Sequence, residues 1–96
     1  MISTKQRRNI MGTKILVVDD DRNICELLKL YLENDGYTVF VANDGQEAVE
    51  IFETKAPERV LLDIMLPKMD GWQVCREIRK TSNTPIIMLT AKGETF

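Results

Sequence analysis

Short, wholly apolar runs alternate along this chain with segments in which apolar residues return every three or four positions. Ile15-Leu16-Val17-Val18, Val60-Leu61-Leu62 and Ile86-Ile87-Met88-Leu89 are of the first kind. Runs of about four apolar residues fit strands covered on both faces, as in a parallel sheet. The first predicts a strand at about 14–19, the second one at about 59–63, and the third one at about 86–90. Tyr37-Thr38-Val39-Phe40-Val41, rich in β-branched and aromatic residues, predicts another strand between them. From Arg22 to Asn34, Ile24, Leu27, Leu28, Tyr31 and Leu32 recur at helical spacing, with Glu26, Lys29 and Glu33 opposite. Asn34-Asp35-Gly36 ends that helix. Asn43-Asp44-Gly45 is a turn signal before a second helix through Ala48, Val49 and Phe52 to about Lys55, which Pro57 closes. A third, at about 72–80, is built on Val74, Cys75 and Ile78.

The order is therefore β-α-β-α-β-α-β. It calls for an α/β fold, a parallel sheet with right-handed crossovers and helices on both faces. Residues 1–13 read as a flexible N-terminal extension, with Met11 an alternative start, and residues 14–96 as the domain. The fourth strand, apolar throughout, is expected to lie as an open edge with unpaired backbone groups, so the domain reads as interrupted. A second copy covering that edge, and hence a homo-oligomer, is the expected consequence.

Composition narrows the function without naming it. Ninety-six residues, 29% charged with a net charge of −2, make one small domain. Near-balanced charge gives no basis for direct nucleic-acid binding by this chain, which calls for a basic excess or stripe. No apolar stretch is long enough to span a bilayer, and the opening residues lack a secretory signal, so a cytoplasmic chain is expected. Cys25 and Cys75 form neither a CxxC motif nor a metal knuckle and are expected as buried reduced thiols.

The candidate chemistry lies where strands run out. Asp19-Asp20-Asp21 follows the first strand and Asp63 ends the third, leading into Ile64-Met65-Leu66-Pro67-Lys68-Met69-Asp70-Gly71. In open α/β sheets, ligands bind beyond the carboxyl ends of the strands. Helix capping accounts for one acid, and Asp21 is its natural candidate. Asp19, Asp20 and Asp63 would then converge and repel unless a cation neutralises them. Oxygen ligands alone, with no His in the chain, suit Mg²⁺, Mn²⁺ or Ca²⁺. Asp70-Gly71 and Pro67 read first as shapers of the loop that leaves Asp63. Thr90, ending the last strand, is placed to bond an oxyanion at the same edge. Trp72 and Met69 read as packing residues.

Ile-Leu-Val-Val-Asp19-Asp20-Asp21, Leu-Leu-Asp63-Ile-Met-Leu-Pro67-Lys-Met-Asp70-Gly71 and Pro85-Ile-Ile-Met-Leu-Thr90-Ala91-Lys92 together resemble the receiver domain of bacterial two-component response regulators. The wording is most like regulators of the OmpR/PhoB type, and the resemblance runs from about residue 14 to residue 94. It implies a flavodoxin-like topology with strand order 2-1-3-4-5. It also implies that Asp63 accepts a phosphoryl group from a sensor histidine kinase, and that Asp20 binds Mg²⁺ (or Mn²⁺) directly with Asp19 helping through water. The backbone carbonyl of Met65 would complete the protein ligands. Thr90 would bond a phosphoryl oxygen, and Ala91 would keep the entrance small. The chain would be a phosphoacceptor assisting its own phosphoryl transfer rather than an enzyme. In a full-length parent, the DNA binding that regulates transcription would belong to a C-terminal domain.

The family pattern continues through a fourth helix, a fifth strand ending in a Lys, and a fifth helix, none of which follows here. Lys92 stands too close to Thr90 to be that Lys. A receiver-like fragment acting only through protein contacts is therefore the main alternative. A haloacid-dehalogenase-like phosphatase is disfavoured because Asn23 stands where its motif expects Thr or Val. A flavin- or nucleotide-binding module is disfavoured because three acids would repel its phosphate.

Overall fold

The computed structural model describes residues 12–66 and 69–89. The expected order is found: β1 (Lys14–Val18), α1 (Arg22–Asn34), β2 (Thr38–Ala42), α2 (Gly45–Lys55), β3 (Arg59–Asp63), α3 (Gly71–Arg79) and β4 (Ile86–Leu89). The four strands form one parallel sheet in the order β2-β1-β3-β4, the first four places of the order that the resemblance implies. Val18 pairs with Ala42 and Leu62, and Asp63 with Leu89, so β1 and β3 release their chains side by side at one end of the sheet.

Alternation along the strands sorts the core into two layers, because successive side chains of a strand point to opposite faces. Leu16, Val18, Val60 and Leu62 pack with Ala48 and Phe52 of α2 and Val74 and Ile78 of α3. Ile15, Val17 and Val39 pack on the other face with Cys25 of α1, and half-buried Leu28 and Leu32 join them. Leu27 and Tyr31, expected on the buried stripe of α1, are instead 52% and 61% exposed. The helix lies over β1 and β2 and sinks its Cys25–Leu28–Leu32 line into the sheet, leaving the other flank out. Cys75 is half-buried rather than buried, unlike Cys25.

Local chemistry fixes where each helix begins. Asp21, Asp44 and Asp70 are the three N-caps, accepting backbone N–H bonds from Asn23 and Ile24, from Glu47 and from Gln73 respectively. Capping accounts for Asp21 as expected. Gly36, with φ of 99°, lets the chain leave α1 in the left-handed region that only glycine adopts freely. Ala56 closes α2 at φ of 50° without that advantage, just before Pro57.

A candidate cation and phosphoryl site

At the carboxyl ends of β1 and β3, one carboxylate oxygen from each of Asp19, Asp20 and Asp63 lies within 4.8 Å of the others. Asp19 and Asp63 are buried, and Asp20 is exposed. These are the three acids that strand ends alone had singled out. Two ionised carboxylates about 5 Å apart repel by roughly 3 kcal/mol at an effective dielectric near 20. A divalent cation is the natural counter-charge. Ligands on opposite sides of Mg²⁺ stand about 4.2 Å apart, and of Ca²⁺ about 5 Å. The three oxygens therefore fit one ion, either with a small side-chain adjustment or with one ligand acting through water.

The backbone around the acids is tied down. Asp19 Oδ1 accepts the N–H of Asp21 at 2.9 Å, and Asp63 Oδ1 accepts that of Met65 at 3.1 Å. Each acid thus organises the turn that follows it, a short-range bond typical of Asp in turns. The N–H of Asp19 donates to the carbonyl of Ala42 at 3.1 Å, extending the β1–β2 ladder by one bond. Its carbonyl accepts from Cys25 Sγ at 3.2 Å and from Asn43 Nδ2 at 2.9 Å. Burial, and then the Asp19 carboxylate, push the Cys25 thiol up to about 11.

The loop that leaves Asp63 is closed by glycine. The N–H of Gly71 donates to the Ile64 carbonyl at 2.9 Å. A Cβ at Gly71 would stand 2.6 Å from the Asp63 carbonyl oxygen and 2.7 Å from Ile64 Cα. Gly45, at the start of α2, meets the Met69 carbonyl in the same way, with Val74 beside it. Both glycines read from sequence as turn signals. Neither has a positive φ, and what each provides is close approach of a helix start to the Asp63 loop.

Met65 is 62% exposed beside Asp63 and Trp72 is 54% exposed on the first turn of α3, so the expectation of Trp72 as a packing residue does not hold. Met69, half-buried against the α2 and α3 core, does pack. The proposed roles of Thr90, Ala91 and Pro67 fall outside the described residues, as does most of the 1–13 extension. Sequence reading missed Asn43 as a side chain bonded to Asp19; its position directly after β2 was the available signal. A cavity of about 630 Å³, lined by Phe52, Pro57, Glu58 and Thr84, lies at the opposite end of the sheet from the acids.

Comparison with known proteins agrees with this geometry. Residues 15–96 match the response regulator receiver domain family. The probable transcriptional regulator ycf27 of Guillardia theta is 52% identical over 81 residues, which are 84% of this chain and 32% of that protein. The chain thus spans about a third of the length of that curated relative. The receiver domain of the Francisella response regulator 1452 superposes with a TM-score of 0.79 at 36% identity, covering 88% of this chain and 70% of that one. The BeF3-activated N-terminal receiver domain of Klebsiella pneumoniae RstA gives 0.76 at 40% identity, covering 80% and 66%. The chain belongs to the response regulator receiver family.

Proposed function

From that membership we propose that this chain receives a phosphoryl group on Asp63 from the phosphohistidine of a sensor kinase. The observation that supports this most is the meeting of Asp19, Asp20 and Asp63 oxygens within 4.8 Å at the ligand edge of the sheet. A carboxylate oxygen of Asp63 forms the new P–O bond as the P–N bond to the histidine breaks, and the electron pair returns to the imidazole nitrogen. Phosphoryl transfer depends on positioning and on neutralising charge. Asp20, Asp19, Asp63 and the Met65 carbonyl are the groups that would hold Mg²⁺ or Mn²⁺, which supplies that neutralisation when bound. The Met65 N–H, donated to Asp63 Oδ1, orients the carboxylate. Thr90 is assigned the bond to a phosphoryl oxygen. Met65, exposed in the turn that follows Asp63, and Trp72, exposed on the first turn of α3, are side chains that a kinase approaching Asp63 in the cytoplasm would meet.

The chain acts as an acceptor that assists its own modification, and in a longer parent the modification would regulate transcription, as the description of the ycf27 relative suggests. Among the described residues β4 pairs with β3 alone and leaves Ile87 53% exposed, which supports association of copies through this edge.

Incubation with a small phosphodonor and Mg²⁺ tests the central step. The intact mass should gain one phosphoryl group, lost on hydroxylamine treatment as an acyl phosphate is, and Asp63→Asn should gain none. An unchanged wild-type mass would favour a fragment that works only by protein contacts, and a hydroxylamine-stable adduct would displace Asp63 as the acceptor.

A further inference from the structure

The Asp19 carbonyl is the point where β1 stops behaving as a strand. Backbone pairing between β1 and β2 runs in register to Val18 and Ala42, and the Asp19 N–H makes one further bond to Ala42. Beyond this the ladder is continued by side chains. Asn43 Nδ2 donates to the Asp19 carbonyl at 2.9 Å, and Cys25 Sγ donates to the same oxygen at 3.2 Å. The two donors also stand 3.5 Å from each other. A backbone carbonyl has two lone pairs, so it accepts both.

The donors come from different elements. Cys25 is fully buried one turn into α1, while Asn43 sits in the turn between β2 and α2. The backbone of Asn43 is committed elsewhere, its N–H donating to Glu47 Oε1 at 2.8 Å on the first turn of α2. Asn43 therefore fastens the start of α2 to the end of β1, and Cys25 fastens α1 to the same atom. That atom belongs to the first acid of the pair, and Asp20 is the next residue. Rotation of this peptide would swing both carboxylates, because Asp19 Oδ1 is itself tied to the Asp21 N–H.

We propose that Asn43 and Cys25 are positioning residues that clamp the Asp19–Asp20 turn, so that its two carboxylates stay within reach of one cation together with Asp63. This rests on the cation reading above and adds to it two residues that bear no charge and touch no ligand. Partners behind a ligand set commonly shift metal affinity by about 10–100-fold when removed. Two donors on one oxygen substitute for each other, so losing either should matter less than losing both.

Mg²⁺ titration calorimetry, with melting of the metal-free protein measured alongside, gives the test. Asn43→Ala and Cys25→Ala should each weaken Mg²⁺ by about threefold, and the double variant by about thirtyfold, more than the product of the singles. Cys25→Ser keeps a donor for the carbonyl and should stay within about twofold of wild type. A folded double variant that binds Mg²⁺ like the wild type overturns the clamp while leaving the cation site standing. Should the double variant not fold, unchanged affinity in both singles overturns the clamp equally. Cys25→Ser as weak as Cys25→Ala would show that packing, not donation, is what Cys25 supplies. Absence of Mg²⁺ binding by the wild type removes the clamp and the cation reading together.

Discussion

The two faces of the sheet draw on the same apolar strands, yet among the described residues one is well covered and the other only in part. Toward α2 and α3, Val60 and Leu62 of β3 are sealed completely. Toward α1, Leu61 of the same strand is half-buried and Ile87, its partner on β4, is 53% exposed. Hydrophobicity does not explain this, since leucine and isoleucine stand on both sides. Cover does: among the described residues two helices roof the first face, while α1 roofs β1 and β2 on the second. An apolar strand residue is worth what the neighbouring elements remove from water, about 25 cal/mol per Å².

The largest expected effect comes from cutting into the well-covered face. Leu62→Ala should cost about 3 kcal/mol, within the range for deletion of a buried leucine, because Leu62 is fully buried and a packed cluster collapses only partly into the gap. Ile87→Ala, on the other face, should cost at most about 1 kcal/mol. Urea unfolding at low protein concentration measures both. Equal losses would show that Ile87 is covered in solution, and the contrast between the faces would then disappear.

Chemistry separates the faces as well. The α2/α3 layer buries only aliphatic and aromatic side chains, with the Cys75 thiol half-buried at its margin, whereas the α1 layer buries Cys25 completely, its thiol pushed up from 9.0 to about 11, first by burial and then by Asp19. Between those values the unfolded chain has released its proton while the folded chain still holds it, so stability falls as pH rises. The contribution is intact below pH 9 and lost through about pH 11, for a total on the order of 2–3 kcal/mol at 1.4 kcal/mol per unit. Other groups also titrate there, so the readout is the difference between wild type and Cys25→Ala across pH 8–11. Wild type should lose more with rising pH. Parallel curves would mean that the thiol ionises in the fold as readily as outside it.

Much of this architecture was legible in the sequence because its signals are local. Runs such as Ile15–Val18 fit buried strands, and Asp21 stands where a cap belongs, while Asp44 and Asp70, read as turn signals, prove to be caps as well. Asp19, Asp20 and Asp63 were legible because a parallel sheet brings the ends of neighbouring strands together. What was not legible depends on distant partners. The need for glycine at 45 and 71 lies in the Met69 and Asp63 carbonyls pressed against them, which no turn propensity encodes. Helical spacing marks Leu27 and Tyr31 as apolar stripe, but whether anything lies over that stripe is a property of the whole fold. The Asn43 amide looked like part of a turn because the carbonyl it serves is 24 residues away.

The smallest expected effect sharpens the comparison at α1 itself. Leu27 and Tyr31 are four residues apart on a helix and both are more than half exposed, so they share one flank. Gln has helix propensity close to that of Leu and somewhat better than that of Tyr, so Leu27→Gln and Tyr31→Gln test burial with little disturbance of the helix. If the flank faces water, each should change stability by no more than about 0.5 kcal/mol, the usual range for a surface substitution. If copies of the chain cover it, the loss should exceed about 1 kcal/mol and grow with protein concentration, because self-association stabilises by mass action. Unfolding at two concentrations about tenfold apart distinguishes these outcomes. A loss above about 1 kcal/mol that does not depend on concentration would place a covering segment of the chain's own over this flank, and the α1 face would no longer count as the partly covered one.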